Sequence, residues 1–391
     1  MSPRLTVVLP LRGRPLFTLR FLWHANLACS HYKFIVADGQ VNTALARLIE
    51  NSRAIFPNLD VEYVRYPDDT NFGVFYSKMF NAMQRVQTPY AMVADNDDFL
   101  MSTGIERSIE FLDSNSDYVC CAGAIGGFGV HNWDFPDLEG LRGRVSRLVW
   151  RYSPYDQSID LRSPLAVERL MLGLRNTWSY FGVFRTPTLT EVWREAAEMN
   201  LSDLLLQEKF LAMRALTLGK AKSDPSAFGY FRQYGTSLSL AFRDDWIRHL
   251  VRSRFSTDFN DVISRISRLA AVADGIDESL VAEKLRNDLV QWLGNYLTRI
   301  YGPAATFRKH LRCRVPRLLE WVKKKRYLLV RFQRRGLVAK LREGGASDDY
   351  VVTFNEELSQ VEGVVFGAAF AEFVRPYVPI LVSGTPQKSG E

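Results

Sequence analysis

The sequence has few of the residues that build thiolate, disulfide or histidine sites. Its 391 residues include five histidines and only four cysteines, Cys29, Cys120, Cys121 and Cys313. Neither set has the spacing of a metal site or of a catalytic triad. Cys120 and Cys121 are adjacent within an apolar run, which favours small core residues. This usage indicates a reduced, cytoplasmic chain rather than a disulfide framework.

The sequence also lacks an apolar run long enough to cross a bilayer. The N-terminal stretch MSPRLTVVLPLRGRP returns to charge after a few apolar residues, unlike a signal peptide. The most apolar later stretch, VVFGAAFAEFVRPYVPILV, is interrupted by Glu372, Arg375 and two prolines. No membrane-spanning segment is therefore expected.

Composition and charge bound the class of protein. With 47% hydrophobic and 13% aromatic residues the chain can bury a large core, which excludes global disorder, and its length favours two domains. The net charge of +7 is local, because twelve Lys or Arg and a single acid, Glu320, lie between Arg308 and Arg335. A basic stripe of this kind implies an anionic partner, either lipid headgroups or nucleic acid.

The first 120 residues alternate strand and helix patterns. This rhythm is typical of a mostly parallel sheet with helices on both faces. After about residue 243 only helical periodicity remains. We therefore predict an α/β domain over residues 1–242 and a helical C-terminal domain over 243–391, with a basic segment at 308–335.

Four polar residues follow one short apolar strand in the stretch PYAMVADNDDF: Asp95, Asn96, Asp97 and Asp98. They are expected at the carboxyl edge of the sheet, where open α/β sheets bind ligands. Three neighbouring acids repel one another unless a cation or hydrogen-bond donors compensate, and such oxygen ligands suit Mg²⁺ or Mn²⁺. The alternative is an acidic turn that caps a helix starting near Ser102.

The order of motifs over residues 4–240 resembles the GT-A glycosyltransferases of family 2. The motifs are VVLPLRGRP, ADGQ, TNFGVFYSKMFNAM, PYAMVADNDDF, LLLQEKFLAMRALTLGKAK and YFRQYGTSLS. The resemblance implies a GT-A fold, that is, a Rossmann-like, mostly parallel sheet with helices on both faces. It also implies an inverting transfer of sugar from a nucleotide-sugar donor to a glycan or lipid-linked glycan, in bacterial-type surface polysaccharide synthesis.

The same resemblance implies a metal site. In such enzymes a divalent cation, Mg²⁺ or Mn²⁺, bridges the donor diphosphate and the acids. Asp97 matches the direct ligand. Asp95 matches either a second ligand or a contact to the ribose or to a metal-bound water.

A larger set of residues is implied to bind the nucleotide sugar: Pro10, Arg12, Arg14, Asp38, Lys78, Asp95 and Asn96. Asp38 matches the acid that recognises the base. A carboxylate accepts a hydrogen bond from an imide N–H, which uracil, thymine and guanine present and neutral cytosine lacks. Asp38 therefore favours a UDP-sugar, and its alternative is an ordinary Asp-Gly turn.

Glu208 matches the general base that takes the proton of the acceptor hydroxyl. Gln207 replaces the first acid of the pair found in the family, and the alternative role of Glu208 is that of a capping acid after Ser202 or Asp203. The implied contacts to the acceptor or the diphosphate are Asp98, Trp178, Arg232 and Tyr234. Tyr234 stands where many relatives carry a histidine, and a phenol is a poor metal ligand because its pKa is about 10.

The basic segment and two rival functions complete the expectations. The stretch FRKHLRCRVPRLLEWVKKKRYLLVRFQRRG mixes cations with large apolar residues. This composition is typical of a segment that lies on an anionic membrane surface, and the alternative is a bundle helix with a solvated basic face. The location is then cytoplasmic, peripheral on the inner face of the membrane. One rival function is that of a sugar nucleotidyltransferase, which normally has a Gly-rich, basic loop after the first strand; LPLRGRP matches such a loop only in part. The other is that of a non-catalytic nucleic-acid-binding protein, for which no reader motif is found.

Overall fold

The computed structural model of the protein describes most of the chain. It covers residues 3–11, 13–40, 44–50, 52–131, 141–152, 160–173, 181–233, 253–301 and 330–382. Cys29, Cys120 and Cys121 are buried free thiols in this structure, and Cys313 lies outside the described residues. The expected domain boundary near 241–245 and residues 308–329 of the basic segment also lie outside them.

One mixed sheet forms the centre of the molecule. Its strands are β1 Leu5–Leu11, β2 Lys33–Asp38, β3 Asp60–Arg65, β4 Tyr90–Val93, β5 Phe99–Leu100, β6 Tyr118–His131, β7 Arg144–Tyr152, β8 Asp160–Leu161, β9 Val183–Arg185 and β10 Lys220–Gln233. The order is β3-β2-β1-β4-β9-β6-β10-β5, with β7 beside β6 and β8 beside β10. Strands β1 to β4 pair in parallel, as do β6 and β10, whereas β9 runs antiparallel between β4 and β6.

Helices follow the strands in the first part of the chain and replace them in the second. The first set is α1 Pro15–Ala28, α2 Ala44–Glu50, α3 Ser52–Ile55, α4 Phe72–Met83, α5 Ser102–Ser114, α6 Ala166–Gly173, α7 Thr186–Met199 and α8 Leu204–Leu218. The second set is α9 Ser253–Asp274, α10 Glu278–Tyr301, α11 Val330–Glu343, α12 Asp348–Phe366, α13 Ala368–Val374, a 3₁₀ turn Arg375–Tyr377 and α14 Val378–Val382. The predicted α/β class with a helical C-terminal region is confirmed.

The parallel strands bring their carboxyl ends to one edge. Strands β1, β2 and β4 are almost wholly apolar and buried, as expected of strands covered on both faces. In the register, Leu11 lies beside Asp38, and Val8 lies beside Val93. The loops that follow these three strands therefore meet at the same edge, which is where the candidate site lies.

The C-terminal helices pack directly on the α/β part. Helix α9 packs on α6 and α8, α11 packs on β7 and β10, and α12 packs on α1, α5 and β7. Leu337 and Leu341 of α11 and Phe354 and Leu358 of α12 are buried in these contacts. Within the described residues, none of the helices is both long and apolar enough to span a membrane.

Candidate active site

The three acids after β4 form a compact cluster. One carboxylate oxygen of each of Asp95, Asp97 and Asp98 lies within 4.8 Å of the others. Asp97 and Asp98 are 4% and 1% exposed, whereas Asp95 is half-buried. The sequence pattern therefore located a real concentration of negative charge at the carboxyl edge of the sheet.

Two arginines pair with this cluster. Arg14 Nη2 lies 2.9 Å from Asp97 Oδ2. Arg232 bridges the other two acids, with Nε 2.9 Å from Asp98 Oδ2 and Nη2 3.2 Å from Asp95 Oδ2. The protein itself thus supplies counter-charge to two buried carboxylates and one half-buried carboxylate, and it does so with groups that also bind phosphate well.

A third arginine, Arg20 of α1, holds the backbone of the cluster from below. Its Nη2 donates to the carbonyl oxygen of Asp97 at 2.7 Å, and its Nη1 donates to that of Leu141 at 3.0 Å. Arg20 is fully buried, and the loss of solvation lowers its pKa to about 9, so the guanidinium stays charged at neutral pH. The sequence analysis missed this residue, although a lone cation inside an apolar helix is a usable signal.

Strand β10 holds the acidic loop from the other side. The backbone N–H of Asp95 donates to the Tyr230 hydroxyl at 2.7 Å, and the backbone N–H of Gln233 donates to Asp98 Oδ1 at 2.7 Å. Both oxygens of Asp98 are therefore engaged, by Gln233 and by Arg232. Asp98 is better suited to shaping the loop than to binding a ligand directly.

The acids do not cap the next helix. Helix α5 begins at Ser102, and its N-cap residue, Met101, makes no side-chain hydrogen bond. Asn96 is directed at α1 instead, where its Nδ2 donates to Thr18 Oγ1 at 3.1 Å. The capping alternative for the acidic stretch is therefore wrong in this structure.

Arg14 has an unusual backbone conformation. Its φ of 58° and ψ of 48° place it in the left-handed region, immediately before the first residue of α1. For a residue other than glycine this conformation costs about 1 kcal/mol or more, and such residues occur mainly where the surrounding structure demands them. In this conformation the Arg14 guanidinium lies 4.6 Å from the centre of the Phe17 ring and pairs with Asp97.

The donor set of the cluster fits a divalent cation. Carboxylate oxygens in a group of three are the ligands that Mg²⁺ and Mn²⁺ prefer. Asp97 and Asp95 would hold the ion, in place of or beside the arginines that lie on their Oδ2 atoms, Arg14 on Asp97 and Arg232 on Asp95. Burial raises the pKa of Asp95 and of Asp98, and the Asp97 charge adds to this effect in both.

Glu208 lies in the first turns of α8, beside this cluster. Helix α8 begins at Leu204, and its N-cap is Asp203, whose Oδ1 accepts a hydrogen bond from the Leu206 N–H at 2.6 Å. Glu208 is the fifth residue of the helix, so the capping alternative for it is also wrong. Among the residues that the structure describes, no hydrogen bond to the Glu208 carboxylate is found.

The environment of Glu208 favours its neutral form. Loss of solvation raises the pKa of Glu208 to about 7, with further increases from Asp95 and Asp203, against decreases from Arg232 and Lys209. Arg232 and Asp95 both act electrostatically on Glu208, so the acidic cluster lies within electrostatic range of this carboxyl group. A carboxylate with a pKa near 7 at the candidate site is a candidate proton acceptor.

Asp38, at the end of β2, is fully buried and already bonded. Its Oδ2 accepts from the Tyr63 hydroxyl at 2.6 Å, and its Oδ1 accepts from the Gln40 backbone N–H at 3.0 Å. Gln40 Nε2 also lies 3.4 Å from Oδ2. Recognition of the base by Asp38 stays a prediction.

Lys78 of α4 lies below the end of β1 with its charge neutralised. It is 2% exposed, pairs with the Asp69 carboxylate, and donates from Nζ to the carbonyl oxygen of Leu11 at 3.1 Å. Pro10, in the same strand, is half-buried beside Ala37 of β2. The observed contacts of Lys78 support the loop that follows β1, and direct contact with a diphosphate stays a prediction for both Lys78 and Pro10.

The structure thus brings together seven of the predicted site residues: Arg14, Asp95, Asn96, Asp97, Asp98, Glu208 and Arg232. Three others, Arg12, Trp178 and Tyr234, lie outside the described residues. Tyr230 and Arg20 also belong to the site, because both bond to the backbone of the acidic loop.

Neither a protein-family model nor a curated protein matches the sequence. Among solved structures, S. aureus TarS is 13% identical over 75% of this chain, with a TM-score of 0.48. The chain covers 44% of that TarS chain.

Two further structures were solved with nucleotide sugars. TarS 1-349 in complex with UDP-GlcNAc is 12% identical, with 94% of this chain and 92% of that chain covered and a TM-score of 0.48. The mannosyltransferase PcManGT from Pyrobaculum calidifontis, in complex with GDP-Man and Mn²⁺, is 13% identical, with 88% and 86% covered and a TM-score of 0.39.

Proposed function

We propose that the protein is an inverting glycosyltransferase that takes its sugar from a nucleotide-sugar donor, with a UDP-sugar favoured. One observation carries this proposal. A cluster of three acids and two arginines lies at the carboxyl edge of the sheet, and a carboxylate of raised pKa, Glu208, lies beside it. Donor and acceptor chemistry would thus share one cleft.

The donor diphosphate is held by charge. Arg14 and Arg232 donate hydrogen bonds to the acids in this structure. Guanidinium groups also match pairs of phosphate oxygens. A divalent cation held by Asp97 and Asp95 supplies further positive charge to the leaving diphosphate when it is bound. Arg20 and Tyr230 keep the backbone of the acidic loop in place, so the ligands are preorganised.

Glu208 performs the proton transfer. As the acceptor hydroxyl oxygen bonds to the anomeric carbon, the bond between that carbon and the phosphate oxygen breaks, and the hydroxyl proton moves to a Glu208 oxygen. A single displacement from the face opposite the diphosphate inverts the anomeric centre. The nucleoside diphosphate leaves with the bonding electron pair.

The acceptor and the location are proposed from the sequence. A glycan or lipid-linked glycan at the cytoplasmic leaflet, in surface polysaccharide synthesis, would suit a chain whose basic segment at 308–335 binds an anionic membrane surface. Within this proposal the segment brings the catalytic cleft to its acceptor. Nucleic acid is not a proposed partner.

The test is product analysis combined with Glu208→Gln. We expect UDP and its analogues to raise the Tm, more so with Mn²⁺, and a UDP-sugar with acceptor to release nucleoside diphosphate. Glu208→Gln should lower kcat by about 100-fold or more, while the nucleotide-induced Tm shift is kept. Glu283→Gln, the same change at an exposed position of α10, should behave as the wild type.

Three outcomes would contradict the proposal in different ways. Unchanged turnover in Glu208→Gln would exclude Glu208 as the base. Release of pyrophosphate instead of nucleoside diphosphate would indicate a sugar nucleotidyltransferase. Absence of any nucleotide-dependent Tm shift or turnover, together with salt-dependent retention of DNA or RNA on a filter, would favour the nucleic-acid-binding alternative.

A further inference from the structure

Helix α12 of the C-terminal region reaches the N-terminus of α5 with a buried carboxylate. Glu357 is 7% exposed, and its Oε1 accepts three hydrogen bonds. The donors are Ser102 Oγ at 2.8 Å, the Thr103 backbone N–H at 2.9 Å and Thr103 Oγ1 at 3.1 Å. The two segments that meet here are more than 250 positions apart in the chain.

This contact replaces a missing local cap. Met101, the N-cap residue of α5, makes no side-chain hydrogen bond of its own. A carboxylate at a helix N-terminus bonds to free N–H groups and interacts favourably with the helix dipole. Because Ser102 follows Asp98 by only four positions, the cap supplied by Glu357 holds the end of the acidic loop.

The same helix supports β10 through Tyr350. The backbone N–H of Phe228 donates to the Tyr350 hydroxyl at 2.7 Å. This bond lies where the pairing of β10 with β6 shifts register, between Asp224 and Tyr230. Without the hydroxyl, a buried N–H of β10 would lose its partner, which costs about 1–3 kcal/mol in proteins generally.

Aromatic packing adds to this contact. The Phe354 ring lies 5.0 Å from Phe228 in a stacked arrangement and 6.2 Å from Phe231. From Phe231 the strand continues directly to Arg232, the residue that bridges Asp95 and Asp98. Helix α12 therefore contacts the strand that carries the arginine of the site.

The two supported segments are also bonded to each other. Phe99 of β5 pairs with Phe231 of β10, and the Met101 N–H donates to the Gly229 carbonyl oxygen at 3.1 Å. The far end of α12 is secured as well, because Arg142 Nη2 donates to the carbonyl oxygens of Phe366 and Gly367 at 3.1 and 3.0 Å.

We propose that Glu357 and Tyr350 are positioning residues of the active site, through which helix α12 sets the distance between the acidic loop and Arg232. Their effect on turnover rests on the proposed function, whereas their effect on the order of the two segments does not. Helix α12 of the C-terminal region then supports the active site through these two residues.

The experiment compares variants of the full chain in which one bond is removed at a time. Glu357→Ala removes the acceptor, Glu357→Gln keeps an acceptor oxygen in the same place, and Glu356→Ala changes the exposed neighbouring residue as a control. Two quantities are measured: kcat and KM with a UDP-sugar, and hydrogen exchange of the amides of residues 99–103 and 228–233.

We expect Glu357→Ala to lower kcat about tenfold with a smaller change in the donor KM, and to speed exchange at 99–103 about tenfold. Glu357→Gln should recover most of both, and Glu356→Ala should match the wild type. Tyr350→Phe keeps the ring and removes only the hydroxyl, so it should stay folded and speed exchange at 228–233.

The outcomes separate this proposal from the proposed function. Wild-type exchange and wild-type kcat in both Glu357→Ala and Tyr350→Phe would overturn the positioning role. If Glu357→Ala fails to fold, Tyr350→Phe decides the question, because wild-type exchange at 228–233 and wild-type kcat in that variant would overturn the positioning role. If the wild type transfers no sugar, the proposed function fails, and the exchange data alone then support or overturn the coupling of α12 to the two segments.

Discussion

Two requirements conflict at Glu208. A general base has to be ionised to accept a proton, whereas the loss of solvation at this position raises the Glu208 pKa from 4.5 to about 7. The charges of Arg232 and Lys209 lower the Glu208 pKa, so that a fraction of the side chain is ionised near neutral pH. Conflicts of this kind are typical of catalytic carboxylates, because stability and activity demand different charge states.

The pH dependence of activity follows from this pKa. Because the ionised form is the base, we expect kcat/KM to rise with pH through about 7 and then to level off. A rate profile from pH 5 to 9 with a saturating cation measures it. A profile that is flat between pH 6 and 8 would show that another group accepts the proton.

The free energy of unfolding should fall with pH over the range in which activity rises. The folded state holds a proton on Glu208 up to about pH 7, whereas the unfolded chain releases it near 4.5, so the contribution to stability is lost as pH rises through this window. Glu208→Gln is neutral throughout. We therefore expect it to be more stable than the wild type at pH 8, by up to about 3 kcal/mol before solvent screening, and not at pH 5. Urea unfolding at both pH values measures the difference.

Elements approach one another unusually closely beside the site. Helix α5 crosses β10 at Gly104, where an added Cβ would overlap the Phe228 carbonyl oxygen. Strand β10 and β6 meet at Gly123 and Gly229, where a Cβ on Gly123 would lie 2.5 Å from the Gly229 nitrogen. Glycine is needed here because backbone faces backbone, and backbone cannot move aside as a side chain can.

The close approach of α5 and β10 predicts a large effect of Gly104→Ala. We expect a loss of about 1–3 kcal/mol or more in the free energy of unfolding, together with reduced cation binding, because the acidic loop ends at α5. Gly294→Ala in α10 is the matched control, since an added Cβ there meets nothing within 4 Å. It should raise stability by about 0.5–1 kcal/mol. Equal effects of the two changes in denaturant titrations would contradict the packing argument.

At the scale of the whole molecule, the described helical region and the sheet share one core. Buried residues of α11 and α12 lie against β7, β10 and α1, and Glu357 and Tyr350 bond to segments of the α/β part. A boundary at residue 242 stays the prediction for where the fold changes character. In the described part of the chain, many contacts connect the residues on the two sides of this boundary.

Shared packing predicts that the fragment 1–242 is much less stable than the full chain. Removing α11 and α12 uncovers several large apolar side chains, each worth about 1.5–3 kcal/mol. We therefore expect the Tm of the fragment to fall by more than about 10 °C, with a single cooperative transition in the full chain. Circular dichroism melts of both proteins provide the test, and a fragment that melts like the full chain would establish two independent domains.

Much of the first part of the fold was accessible from local patterns. Short apolar strands followed by amphipathic helices predicted the parallel strands β1 to β4, since each pattern reflects burial of one element. The antiparallel insertion of β9 between β4 and β6 was not accessible, because it depends on pairing partners 62 to 95 positions apart. Arg14, Asp95 and Asp97 carried a local signal, whereas Tyr230 and Glu357 carried none.

The amino-acid sequence alone established where the acids lie, because three carboxylates after an apolar strand are a local pattern. Folding established how their charge is compensated. Arg14 and Arg20 come from the start of α1 and Arg232 from β10, and whether these guanidinium groups reach the acidic loop depends on distances that the sheet order sets. The same reason explains Glu357: a hydrogen bond extends about 3 Å, and only the packed molecule brings residues of α5 and α12 within that range.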